Sequence, residues 1–352
     1  MSEIAKLIRR GSNVVKKWRI FILIAIITFS FLACRREFSD SSARPGQKKK
    51  AIVMKVAHNG TENHPFQAGF ERFREVLERE TEGAVELQIF PNEQLGSEEE
   101  ASQMVKLGLI AASASSTAGG LSTSVPEAEL FNLPFIFRNL DHCYRVLDGP
   151  VGEWLAAIIE DKLNCIVLGY WFSGIRNVWN SKRPILLPDD LKGVKIRVMS
   201  SPILIETFNT LGAQATPLAF GELYSALQTG VVDGAETDHL DLLYEKFHEV
   251  TKYVSNTNHM YLVIALIFSK KIYDKLPPDI QEAVLKAGQE SVASERAAMD
   301  TLTESALTEL KAKGLDFFEV DRALFKKKVE SVYRKNARKV GGMKRIEQVL
   351  DQ

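Results

Sequence analysis

Apolar and polar positions change their period several times along this chain, and each period marks an element. Between residues 51 and 57, Val53, Met54 and Val56 make a short strand. Pro65 then opens a helix. Phe66, Phe70, Phe73, Val76 and Leu77 share one stripe, Glu71, Arg72, Arg74, Glu75 and Glu78 take the other, and Gly83 stops it. Residues 84–90 alternate Val85, Leu87 and Ile89 with Glu86 and Gln88, as a half-buried strand does. Ser97 with Glu100 is a capping box for a helix reaching Leu107. Residues 109–116 are a strand of small side chains. This order predicts an α/β domain with largely parallel pairing.

The order then repeats. Residues 165–170 and 194–198 are strand-like, 202–211 are helical, 220–228 form a helix with Leu223, Ala226 and Leu227 inward, and 233–237 end a strand. The longest helix starts at Pro278-Asp279 and runs to about Lys313, stopped by Gly314. At ~1.5 Å per residue it exceeds one small domain, so it either crosses both units or kinks at Gly288. A basic helix over residues 321–338 packs on its own domain or on a second chain.

The N-terminus reads differently. Lys6, Arg9, Arg10, Lys16, Lys17 and Arg19 precede an apolar run over residues 20–33, which suits a signal peptide and is short for a spanning helix. It ends at Phe31-Leu32-Ala33-Cys34, similar to a lipoprotein cleavage box with Cys34 as the lipidated residue. Ordinary cleavage nearby and an uncleaved anchor are the alternatives, and all three export the chain. Residues 35–50 have no period and read as a flexible tether, their Lys48-Lys49-Lys50 run included. Lys plus Arg equals Asp plus Glu at 45 each, which argues against nucleic acid as a partner. Beyond Cys34 only Cys143 and Cys165 remain, read as two separate buried thiols. Cysteine and histidine spacing suggests no metal site, and no cofactor is expected.

Two arginines carry the candidate chemistry: Arg176 in Gly174-Ile175-Arg176-Asn177 and Arg197 in Lys195-Ile196-Arg197-Val198. A guanidinium ending an apolar strand needs an anion, because it cannot neutralise itself. Asp189, Asp190 or Glu222 could supply one internally. The other reading is a ligand carboxylate, held by two parallel hydrogen bonds.

These segments resemble the substrate-binding proteins of tripartite ATP-independent periplasmic (TRAP) transporters, the DctP type, over about residues 52–340. The specific pieces are Gly193-Val194-Lys195-Ile196-Arg197-Val198, then Pro217 to Tyr224, then Ala226 to Glu236. Phe90-Pro91-Asn92-Glu93-Gln94-Leu95-Gly96, Leu133-Pro134-Phe135 and Leu276 to Gln281 support them. The resemblance implies an α/β, two-lobed periplasmic-binding-protein-like fold with a long helix spanning both lobes. Residues 51–173 and 263–302 would form lobe I, and 174–262 and 303–352 lobe II. It implies that Arg197 pairs with the ligand carboxylate, that Arg176 supports it, that Phe220 lines the cleft and that Asn59 makes a polar contact. The family often has Gln-Glu-Asn after Asp-Gly. Here Ala235-Glu236-Thr237 stands instead, which leaves the ligand beyond its carboxylate open. Thr237 is a candidate for a ligand hydroxyl, Glu236 for a structural role holding an arginine or a backbone amide, and Phe172 for stacking, although an aromatic beside a strand more often serves a core.

The function implied is an exported receptor that delivers a sugar acid or dicarboxylate to small and large membrane subunits, tethered to the membrane through Cys34. An exported hydrolase of acidic sugars is the competing class. Asp233 and Glu236 are its only imaginable carboxylate pair, and their spacing fixes no useful geometry. A receptor feeding a sensor is the third.

Overall fold

The computed structural model describes residues 51–352. The signal peptide, Cys34 and tether expected over 1–50 lie outside the described residues.

The first expected unit forms as read. Strand β1 (Ile52–Ala57), the helix Pro65–Glu80, β2 (Val85–Phe90), the helix Glu98–Leu107 and β3 (Ala112–Ser116) follow in order. The capping box is present, with the Ser97 amide donating to Glu100 Oε2 at 2.7 Å and the Glu100 amide to Ser97 Oγ at 3.3 Å. Both β2 and β3 run parallel to β1. The second unit is built from β4 (Cys165–Asn180), β5 (Lys195–Val198), β6 (Gln214–Pro217) and β7 (Gly234–Thr237). Here β5 runs parallel to β6 and β7.

The long strands β4 and β8 (Tyr253–Ser269), with β9 (Asp316–Glu319), complete one sheet, ordered β2-β1-β3-β8-β4-β7-β5-β6 with β9 on β8. They are antiparallel to each other. At one end β8 pairs with β3, and at the other β4 pairs with β7, so both strands belong to both lobes. The expectation of a strand ending at Tyr170 is corrected: β4 continues to Asn180. Its second half is buried on both faces and therefore loses the alternation that marks a half-buried strand. The β4–β8 register shifts between Phe172 and Ile175. Gly174 sits there at φ +96°, where a Cβ would lie 2.4 Å from Asp238 Cβ.

The long helix is unbroken over Pro278–Ala312. It packs on the helix Pro65–Glu80 of one lobe and on His239–Tyr244 of the other. Gly288 is a close-packing point within it, since a Cβ there would meet Leu168 Cβ at 2.7 Å. The basic C-terminal stretch is two short helices, Arg322–Lys328 and Glu330–Asn336, docked on this chain through buried Phe325 and Val332. The last helix, Met343–Leu350, returns to the helix Pro150–Leu163, and His142 Nε2 lies 2.7 Å from the Val349 carbonyl oxygen. Assigning all of 303–352 to lobe II is corrected to that extent. Cys143 and Cys165 are buried and unbonded.

Candidate ligand-binding site

Parallel strands carry their ligands beyond their carboxyl ends, where the strand order reverses. Those ends converge here on one cavity between the lobes. Asn59 follows β1, Glu93 follows β2 and Gly119 follows β3. From the other lobe come Arg197, Met199 and Ser200 at the end of β5, and Leu218, Ala219 and Phe220 after β6. Glu98 and Glu99 reach it from the first turn of the helix Glu98–Leu107. The cavity is tight. About 20 Å³ is open to water-sized molecules, room for one or two waters at roughly 10–15 Å³ each.

Arg197 is 2% exposed. Its Nε and Nη2 both donate to the Leu218 carbonyl, at 3.0 and 2.7 Å. Among the described residues no side chain forms a salt bridge with it, and Nη1 is buried without a partner. Burial first, and then the nearby Arg176 charge, lower its pKa to about 10 even though Glu236, Asp241 and Glu93 pull it up. It still carries its charge at neutral pH. The internal partners considered from sequence are engaged elsewhere. Asp189 pairs with Lys328 at 3.1 Å, Asp190 accepts the Leu186 and Leu187 amides, and Glu222 accepts the Ala219 amide. The Phe220 ring centroid lies 5.8 Å from the Arg197 guanidinium carbon, cation–π range. Phe220 is itself braced edge-on by Phe247. Asn59 is half-buried on the opposite wall.

Three expected contacts are corrected. Arg176 is neutralised by the chain rather than left for a ligand. It is fully buried, donates from Nε to Glu236 Oε2 at 2.8 Å and from Nη2 to Glu236 Oε1 at 3.1 Å, and reaches the Glu236 carbonyl as well. Its Nη1 faces Asp241 at 3.6 Å and Asp238 at 3.9 Å. Burial alone would push the Glu236 carboxyl up, yet the Arg176 charge and hydrogen bonds outweigh it and hold it down to about 2. Thr237 has its hydroxyl committed, donating to the Asp238 carbonyl at 2.9 Å and accepting the Trp179 indole N–H at 3.1 Å. Phe172 packs in the core against Tyr144 and Tyr261, and its amide donates to Glu295 at 3.1 Å. None of the three lines the cavity.

Sequence reasoning missed Glu93, Glu98 and Glu99. Their signal was position: acidic residues in the loop and helix start directly after the carboxyl end of a parallel strand.

A two-lobed α/β molecule, threaded by a long helix and enclosing a cavity that an uncompensated buried guanidinium faces, is built as a hinged solute-binding protein. The chain belongs to family 7 of the bacterial extracellular solute-binding proteins, the DctP family of TRAP transporters, whose model matches residues 56–339. A C4-dicarboxylate-binding periplasmic protein of Rhodobacter capsulatus is 33% identical over 294 residues, 82% of this chain and 88% of that one. A TRAP periplasmic solute-binding protein of Sulfurospirillum deleyianum, crystallised with succinate, is 35% identical with a TM-score of 0.82, over 86% of this chain and 99% of that one. Another from Polaromonas, bound to D-erythronate, is 32% identical with a TM-score of 0.82, over 85% and 98%. The family is periplasmic, and among the described residues no helix is long and apolar enough to cross a membrane.

Proposed function

We propose that this chain captures a small organic acid, a sugar acid or a dicarboxylate, by its carboxylate, and hands it to the small and large membrane subunits of a TRAP transporter. One observation carries the reading: Arg197 stands buried at an interlobe cavity with Nη1 unpartnered and no salt bridge to a carboxylate among the described residues. A ligand carboxylate supplies the missing anion, Phe220 covers the guanidinium and Asn59 faces the ligand from the other lobe. Closing the lobes excludes water and strengthens the pair. Transport of this kind asks for no catalytic group, and the chain serves as a binding module rather than an enzyme. Cys34 ties it by lipid to the membrane where its partners sit.

The test is a thermal-shift panel of succinate, D-erythronate, hexuronates and aldonates on the wild type, followed by calorimetry. A ligand at 100 times its Kd adds about 2.7 kcal/mol of stability. Arg197→Ala should abolish binding and Arg197→Lys weaken it. Loss of one partner of a buried pair costs about 3–5 kcal/mol, or roughly a hundred- to several-thousand-fold in affinity. Unchanged affinity in Arg197→Ala refutes the role.

A further inference from the structure

The cavity has a second wall of opposite sign. With Arg197, the one cation among its lining residues, the cavity is also lined by Glu93, Glu98 and Glu99, which come from the other lobe. Glu98 is committed, since its carboxylate accepts from both the amide and the hydroxyl of Ser116. Glu93 is fixed by the Gly221 amide of the other lobe, which donates to Oε2 at 3.2 Å and leaves Oε1 without a hydrogen bond. Glu99 makes no hydrogen bond or ion pair among the described residues. Burial above all, with Glu99 and Glu100 adding to it, pushes the Glu93 carboxyl above its ordinary range, against the pull of the Gly221 amide and Arg197.

Besides Arg197, the polar side chains that line the cavity are Glu93, Glu98, Glu99, Asn59 and Ser200, so the remainder of a ligand held at Arg197 meets three carboxyl groups among five polar side chains. An ionised carboxylate only accepts hydrogen bonds. A second ligand carboxylate would meet it as a like charge, which costs several kcal/mol when desolvated. Hydroxyl and ammonium groups would donate to it.

We propose that Glu93 and Glu99 determine specificity, accepting hydrogen bonds from hydroxyl or ammonium groups at the far end of the ligand and rejecting a second carboxylate. The acidic pair alone would define no site. The buried, partnerless Nη1 of Arg197 in the same cavity supplies the independent sign of a ligand. The inference rests on the carboxylate-receptor reading above, and of the two ligand classes named there it selects the hydroxylated acids, adding ammonium-bearing ones.

Three four-carbon acids differing at the far end test it by calorimetry on the full chain: D-erythronate with hydroxyls, 4-aminobutanoate with an ammonium, and succinate with a second carboxylate. D-erythronate or 4-aminobutanoate should bind at least about tenfold more tightly than succinate. Which of the two leads separates hydroxyl from ammonium recognition. The E93Q/E99Q double variant keeps shape and acceptor atoms, and should narrow the gap about tenfold by improving succinate. Glu99→Gln alone, which disturbs no hydrogen bond, should move the ratio the same way if the double variant folds poorly. Succinate bound as tightly as the best of the other two overturns the proposal. So does a preference unchanged in the variants, or a failure of all three acids to bind. The receptor reading fails separately, through the broader panel and Arg197→Ala.

Discussion

Two arginines on β4 and β5, strands that flank β7 in one sheet, show how one residue type takes two roles. Arg176 has its anion within the chain, and Arg197 has only a carbonyl. The difference is Glu236, whose side chain faces Arg176 across the β4–β7 pair. Removing that carboxylate by Glu236→Gln strands a buried charge and should cost about 3–5 kcal/mol of stability in chemical denaturation, less whatever Asp238 and Asp241 recover. The pH dependence has two arms. Glu236 titrates near 2 when folded against an ordinary 4.5. Its contribution is therefore complete above about 4.5 and lost as the pH falls towards 2. Glu98 and Glu129 are lifted to about 7 and Glu245 to about 8, chiefly by burial. A raised carboxyl pKa works in the opposite sense, so these three make the fold more stable as the pH drops from about 8 towards 4.5. Denaturation midpoints measured across this range should peak on the acid side of neutrality and fall below about pH 4. In Glu236→Gln the fall should be shallower, and an equally steep fall in that variant would assign the acid arm to other groups.

At the scale of elements, legibility followed exposure. The helix Pro65–Glu80, its neighbouring strands and the capped helix at Ser97 were readable because each has a wet face that sets a period. The central strands were not, since β4 and β8 are buried on both sides and present apolar runs without alternation. Arg197 was legible as a charge at the end of a strand and Glu236 as an acid that holds an arginine or a backbone amide, whereas the identity of that arginine, Arg176, depended on register across strands distant in sequence. Thr237 and Phe172 failed as site residues for the same reason: a sequence does not say to which side of a doubly covered strand a group turns. Where elements cross, small residues set the spacing. Gly69 of the helix Pro65–Glu80 meets Trp171 of β4 and Glu295 of the long helix, and a Cβ there would lie 2.7 Å from the Trp171 ring and 3.0 Å from Glu295 Cβ. Gly69→Ala should lose about 1–3 kcal/mol by overpacking, seen as a lower denaturation midpoint. Its ligand affinity should be unchanged, because no cavity residue is touched.

For the whole molecule, the lipid proposed on Cys34 has a consequence that fractionation reads directly. If Cys34 carries lipid, the wild type should partition into the membrane fraction and resist release by high salt, whereas Cys34→Ser should appear in the soluble periplasmic extract with its binding intact. Equal fractionation of the two would leave the tether without support. The two-lobed architecture was expected from the resemblance over about residues 52–340, and the burial of Arg197 at the end of a strand from the charge placed there. The acidic wall was not, because it exists only when loops from three strands and a helix start are brought to one opening.

The lobes share β4 and β8 as unbroken strands, and the ladder between these is already interrupted at residues 172–175. Any gape of the mouth must therefore flex a continuous ribbon whose ladder also shifts register at 167–169 and 176–178, much as a tweezer bends at its bow. Such a joint offers one easy axis and little sideways play. On the function proposed above, closure about such a joint would return the fork and the acidic wall to one alignment, and a captured molecule would be gauged end to end by that span.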